Sequence, residues 1–190
     1  MLLRLTIILG TFVLLLRPAA WFRGQRSPFA HGKELARYRN ELFALTQRID
    51  TVLVGVADTI DALRRRDLDV EASLDRLVGC EDELDEAADE LRNMLAPEEL
   101  HALHMEYEAN LERALRGIVT VERGGGITRL PHRPPDDEEP FIYYKRGYLN
   151  VMHARLRMSE LVEALLNWEP GTPAEASVAS RLQRGTGPDA

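Results

Sequence analysis

Residues 35–63 read LARYRNELFALTQRIDTVLVGVADTIDAL. Apolar side chains recur there at Leu35, Tyr38, Leu42, Leu45, Ile49, Val52, Val56, Ile60 and Leu63, in steps of three and four. Such steps keep one face of an α-helix apolar from end to end, whereas a half-buried strand would alternate. The stretch therefore predicts a long helix whose stripe must be covered by other helices. Ser27 and Pro28 suit its cap and first turn, and Arg64, Arg65 and Arg66 suit the negative end of its dipole.

Three more helices follow from the same periodicity. After a tight turn near Asp67 and Asp69, a second carries Val70, Leu74, Leu77, Leu84, Ala88, Leu91 and Leu95 on one face, with acids on the other. Pro97, Glu98 and Glu99 mark a restart, since proline fits a first helical turn and acids complement its positive end. The third presents Leu100, Leu103, Tyr107, Leu111, Leu115, Ile118 and Val121 and is expected to stop at Gly124-Gly125-Gly126. Residues 124–140 then read as a long loop, rich in proline and containing the acidic run 136–139. Pro140 opens the fourth, with Phe141, Tyr144, Tyr148, Val151, Met158, Val162 and Leu165 inward. Short first connections make neighbours antiparallel. The expected fold is all-α: an antiparallel bundle of about four long helices behind an N-terminal hydrophobic helix, with a flexible C-terminal tail. The competing architecture is an extended coiled coil that dimerises through the same stripes.

The hydrophobic N-terminus is the uncharged run Leu5–Leu16, bounded by Arg4 and Arg17. It reaches spanning length only if the flanking arginines snorkel and Trp21 and Phe22 sit at the interface. Pro18-Ala19-Ala20 is a poor cleavage site. We read an uncleaved signal anchor inserted through residues 2–22, with a cleaved signal peptide as its competitor. The export-like layout puts the bulk outside the cytoplasm; Arg17, Arg23, Arg26 and Lys33 argue for the other side. The domain plan is thus 1–26 anchor and juxtamembrane segment, 27–170 bundle and 171–190 mobile tail.

Three polar residues occupy slots where the stripes call for apolar ones: Glu81, His104 and Arg155. Buried charge must be paired. Antiparallel register places Glu81 and Arg155 at one depth and His104 near Tyr38, so a Glu81–Arg155 pair and a His104–Tyr38 contact are expected.

Chemistry is sparse. Glu98 and His101 form one Glu-x-x-His spacing, where a di-iron bundle uses two. His101, His104 and Glu108 share a face and are the weak metal candidates, short of a fourth ligand. The triple glycine ends a helix instead of opening one, so it is no phosphate loop. Cys80 stands alone, which excludes cysteine-rich metal sites, and its neighbours Glu81 and Asp82 disfavour a thiolate. Tyrosines interleaved with Lys145 and Arg146 read as a core face with ion pairs. A net charge of −7 over 190 residues, 29% of them charged, argues against nucleic acid. No catalytic residue and no cofactor is assigned. The expected role is a non-enzymatic interaction or scaffold module at a membrane, meeting a protein partner or a second copy of itself. The alternative is a ligand- or metal-sensing bundle.

Overall fold

The computed structural model describes residues 28–67, 69–132 and 139–169. The expectations for the anchor at 2–22, for Ser27, for positions 136–138 of the acidic run and for the tail at 171–190 lie outside the described residues. The chain divides into two compact units, residues 1–37 and 38–190. Four helices, α1 (Pro28–Arg65), α2 (Val70–Asn93), α3 (His101–Arg129) and α4 (Pro140–Leu166), make up the described chain with a 3-10 turn at Glu98–Leu100. No strand occurs among the described residues, and none of these helices is long and apolar enough to cross a membrane.

In the second unit, α1 buries Tyr38, Leu42, Leu45, Ile49, Leu53, Val56, Ile60 and Leu63. The stripe keeps its period but takes Leu53 inward, leaving Val52 only half-buried. Each fully buried leucine is worth about 1.5–3 kcal/mol of transfer free energy, so the stripe outweighs any local propensity. The helix ends in a Schellman motif: the Arg66 N–H donates to the Leu63 carbonyl and the Asp67 N–H to that of Ala62. Arg66 itself sits at φ 63°, a left-handed position usually held by glycine. Asp69 then caps α2, its Oδ1 accepting from the N–H groups of Glu71 (2.9 Å) and Ala72 (3.1 Å).

Two expected boundaries move. α2 stops at Asn93, so Leu95 lies beyond it and is 81% exposed instead of lining the core. More importantly, α3 runs straight through Gly124-Gly125-Gly126 to Arg129. Glycine costs a helix interior about 1 kcal/mol relative to alanine, and here close approach repays it. A methyl at Gly124 would lie 2.8 Å from the Tyr143 Cβ and 3.1 Å from the Pro140 carbonyl oxygen. One at Gly125 would meet Leu74 Cδ1 at 2.5 Å. The glycines are contact surfaces for α4 and α2, not a stop signal.

Cross-helix contacts give the order of the bundle. Arg92 meets Glu108 (3.4 Å) and Arg129 meets Glu71 (3.8 Å), so α2 and α3 run in opposite senses. Arg157 on Glu106 and Gly147 on Gly117 do the same for α3 and α4. Arg155 on Asp50 and Arg64 over Phe141 do it for α4 and α1. Tyr38 to His104 and Thr46 to Tyr107 bridge the diagonal through the centre.

Candidate functional site

A cleft with both polar and apolar walls lies between α1 and α4. About 340 Å³ in volume, it has Ile49, Leu53 and Met158 as its apolar lining and Met152 and Leu156 on the α4 side. Tyr107 from α3 reaches it too, its hydroxyl 2.9 Å from Thr46 Oγ1. Thr46 already donates to the Leu42 carbonyl (2.7 Å), so Tyr107 is the donor to Thr46. Burial, helped by the Asp50 charge and opposed by the hydrogen bond with Thr46, pushes the Tyr107 phenol up to about 12, and it stays protonated. At the rim, Arg155 Nε donates to Asp50 Oδ1 (2.6 Å) and Nη2 to Oδ2 (3.3 Å), a fork-on-fork pair. That pair holds the Arg155 guanidinium charged above its ordinary value.

Beside the cleft, α4 carries a second apolar stripe that points outward. Ile142, Leu149 and Leu156 are spaced by seven residues and are 36%, 42% and 61% exposed, with half-buried Met152 between the last two. Arg155 is thus a cleft residue, but the expected Glu81–Arg155 pair does not form. Helix α4 turns Ala154 fully inward and swings Arg155 towards α1, where Asp50 is the carboxylate within reach.

Glu81 instead faces Glu122 of α3, and the two share a hydrogen bond. Burial first, then the Glu81 charge and that bond, raise the Glu122 carboxyl above its ordinary value. Its Oε1 is buried without a hydrogen-bond partner.

The structure brings His104 and Tyr38 together: the Tyr38 hydroxyl lies 3.0 Å from His104 Nδ1, both side chains buried. Burial lowers the His104 pKa; Glu108 works against the shift and His101 with it. A neutral His104 with an acceptor Nδ1 and a donor Tyr38 satisfies the pair. Burial likewise raises the Tyr38 phenol strongly, with Tyr107 adding to the effect.

The metal candidates are not assembled into a centre. His101 is exposed, Glu108 is held by Arg92, and Nδ1 of His104 is committed to Tyr38. No group of three His, Cys, Asp or Glu side chains is placed to hold a metal ion among the described residues. Cys80 is half-buried, and burial, then Glu83, raise its thiol against a smaller pull from Arg76. The neighbour responsible is Glu83, one turn along α2, and not the adjacent Glu81 and Asp82. Of the basic-aromatic segment, Tyr143 and Tyr144 are buried while Lys145 and Arg146 are exposed.

Asp50, Glu122 and the outward stripe of α4 escape a search for one inward face per helix. The signal for the stripe is nonetheless in the sequence: Ile142, Leu149 and Leu156 repeat at seven on the face opposite Val151 and Met158. Compared with known proteins, the chain matches no family model, no curated protein and no solved structure.

Proposed function

We propose that this protein is a non-enzymatic helical interaction module, held at a membrane through residues 2–22 with its bundle on the extracytoplasmic side. In this reading the α1–α4 face receives a partner helix. One observation carries it: the exposed Ile142–Leu149–Leu156 stripe is continuous, through Met152 and Leu156, with the apolar cleft. Apolar side chains repeated at seven are what a docking helix reads, and methionine adapts its shape to what it meets. The Asp50–Arg155 pair at the rim contributes orientation more than affinity.

The test uses the full chain in its native membranes, with a photoactivatable phenylalanine analogue at position 149 or 156. Position 78 on α2, where Val78 is 48% exposed, serves as the comparison. Adducts from 149 and 156 but not from 78 are expected. Absence of adducts from both α4 positions, or equal adducts from 78, removes the docking role. Release of the chain by carbonate removes the anchor, and digestion of the bundle only after vesicle lysis moves it to the cytoplasmic side.

A further inference from the structure

We infer that the bundle carries a second site, for a small aromatic carboxylate, in the cavity between the last turn of α1 and the first turn of α4. It is separate from the docking face and does not depend on it. The cavity measures about 590 Å³, within the range of small-molecule sites. Leu63, Val70 and Pro140 give it apolar walls, and Phe141 and Tyr144 give it two rings. Rings of this kind favour an aromatic body, which they meet edge to face or offset.

The polar part of the wall selects the head group. Thr128 Oγ1 donates to the Gly124 carbonyl (3.0 Å), so the Tyr144 hydroxyl, 3.0 Å away, donates to Thr128. Both hydroxyl protons are thus committed within the chain, and the side-chain donors left on the wall belong to Arg64 and Arg66. Arg64 gives Asp61 its Nη1 alone (3.1 Å), and Nη2 has no partner among the described residues. Its guanidinium is held over the rings of Phe141 (5.9 Å) and Tyr148 (5.0 Å), which fixes the charge in place. Arg66 has no side-chain partner among the described residues, and its backbone sits at φ 63°. An arginine kept at a position that favours glycine points to a use for its side chain. The first turn of α4 adds its positive end, because the Glu139 side chain does not cap it. Glu139 is the acid on the wall, whereas Asp67 and Asp69 lie off it and Asp69 caps α2. Two guanidinium groups against that carboxylate leave a single positive charge, which a carboxylate answers and a phosphate dianion would exceed.

The test is a fluorine NMR titration of para-fluorobenzoate into the full-length chain in phosphatidylcholine vesicles, with protein-free vesicles subtracted. Its uncharged isostere, para-fluorobenzamide, is titrated alongside. Benzoate should bind about ten-fold more tightly than the amide, the worth of one charge-assisted hydrogen bond. Arg66→Gly is the deciding variant, because glycine suits the left-handed position and the chain stays folded. It should weaken benzoate roughly five- to ten-fold and leave the amide unchanged. Val70→Trp fills the cavity and should abolish both. Arg48→Gln, which removes an exposed arginine paired with Glu90 on another face, should change neither. Equal affinity for benzoate and amide, or benzoate binding unmoved by Arg66→Gly, overturns the carboxylate site. A loss in Arg48→Gln equal to that in Arg66→Gly means a general surface attraction and overturns it too. Displacement of benzoate by an equal concentration of inorganic phosphate means a bare-anion site and removes the aromatic ligand. Binding unchanged in Val70→Trp, or no binding of either probe up to roughly 10 mM, removes the site itself.

Discussion

Gly147→Ala is a sharp test of how closely α3 and α4 approach. In a free helix the change would stabilise by about 1 kcal/mol, because alanine loses less backbone freedom. Here the new methyl would lie 2.6 Å from the Gly117 carbonyl oxygen and press on Val121 Cγ2. A backbone oxygen has no rotamer to escape into, so the helices must part by roughly 1 Å, and overpacking of this kind costs about 1–3 kcal/mol or more. With the propensity gain subtracted, the net loss is up to about 2 kcal/mol, and the midpoint falls by up to roughly 8 °C for a chain of this size. Gly126→Ala is the internal control: nothing lies within 4 Å of its added methyl, so a gain of about 0.5–1 kcal/mol is expected. Thermal unfolding of the full chain in mild detergent, followed by helical circular dichroism, reads both. A Gly147→Ala chain stabilised as much as Gly126→Ala would mean that α3 and α4 do not meet backbone to backbone, and the argument for the glycine seam would fail.

Arg155→Met should cost less than about 1 kcal/mol in unfolding free energy, since Arg155 and Asp50 are 34% and 46% exposed and water screens the pair; a loss of several would mean a buried charge. Tyr38→Phe leaves a buried histidine nitrogen unpaired and should destabilise by about 1–3 kcal/mol, with part recovered in Tyr38→Phe/His104→Leu. Because the folded pKa of His104 lies below the ordinary 6.5, its stability contribution is complete above that value and drains away as pH falls beneath it. His104→Leu should flatten that slope in a pH series of unfolding midpoints. Glu122 has the opposite sign: its folded pKa is raised, so its contribution is full below the ordinary 4.5 and lost as pH climbs through the folded value. Glu122→Gln should therefore unfold later than the parent at neutral pH, and an earlier midpoint would contradict the raised carboxyl. Arg66→Gly should gain up to about 1 kcal/mol by relieving a left-handed arginine, measured by the same unfolding curves.

The stripes were legible because hydrophobic period depends only on residue order. Leu42, Leu45, Ile49, Ile60 and Leu63 need no knowledge of what covers them to be read as a buried face. Gly124-Gly125-Gly126 reads as a stop because local propensity favours one, while the contacts that overrule it come from Leu74 and Tyr143, some fifty and nineteen residues away. The Glu81–Arg155 expectation failed for a related reason. Depth along a bundle follows from counting residues, but rotation about each helix axis decides which carboxylate an arginine meets. A rotation of one residue, about 100°, separates Ala154 inward from Arg155 outward, and packing of α4 on the glycines of α3 sets it. His104 and Tyr38 lie on a diagonal through the centre, where rotation matters less, and depth alone predicts their contact.

The same glycine seam accounts for the cleft. Helix axes separated by ordinary side chains lie 8–10 Å apart, and Gly117, Gly124 and Gly147 let α3 and α4 approach until a methyl at any of the three would lie within 3.1 Å of a backbone oxygen of the other helix. The centre, in contrast, is filled by Tyr38 and Tyr107, which are fully buried and bridge α1 to α3. A bundle drawn tight along one seam and propped open across its diagonal leaves space along another, and α1 meets α4 there through Asp50 and Arg155. A half-exposed ion pair is a weak strut, so the wall it supports yields at little cost. Leu156 stands both at that wall and in the outward stripe. A helix seated on the stripe, as proposed, would also cover the mouth of the cleft.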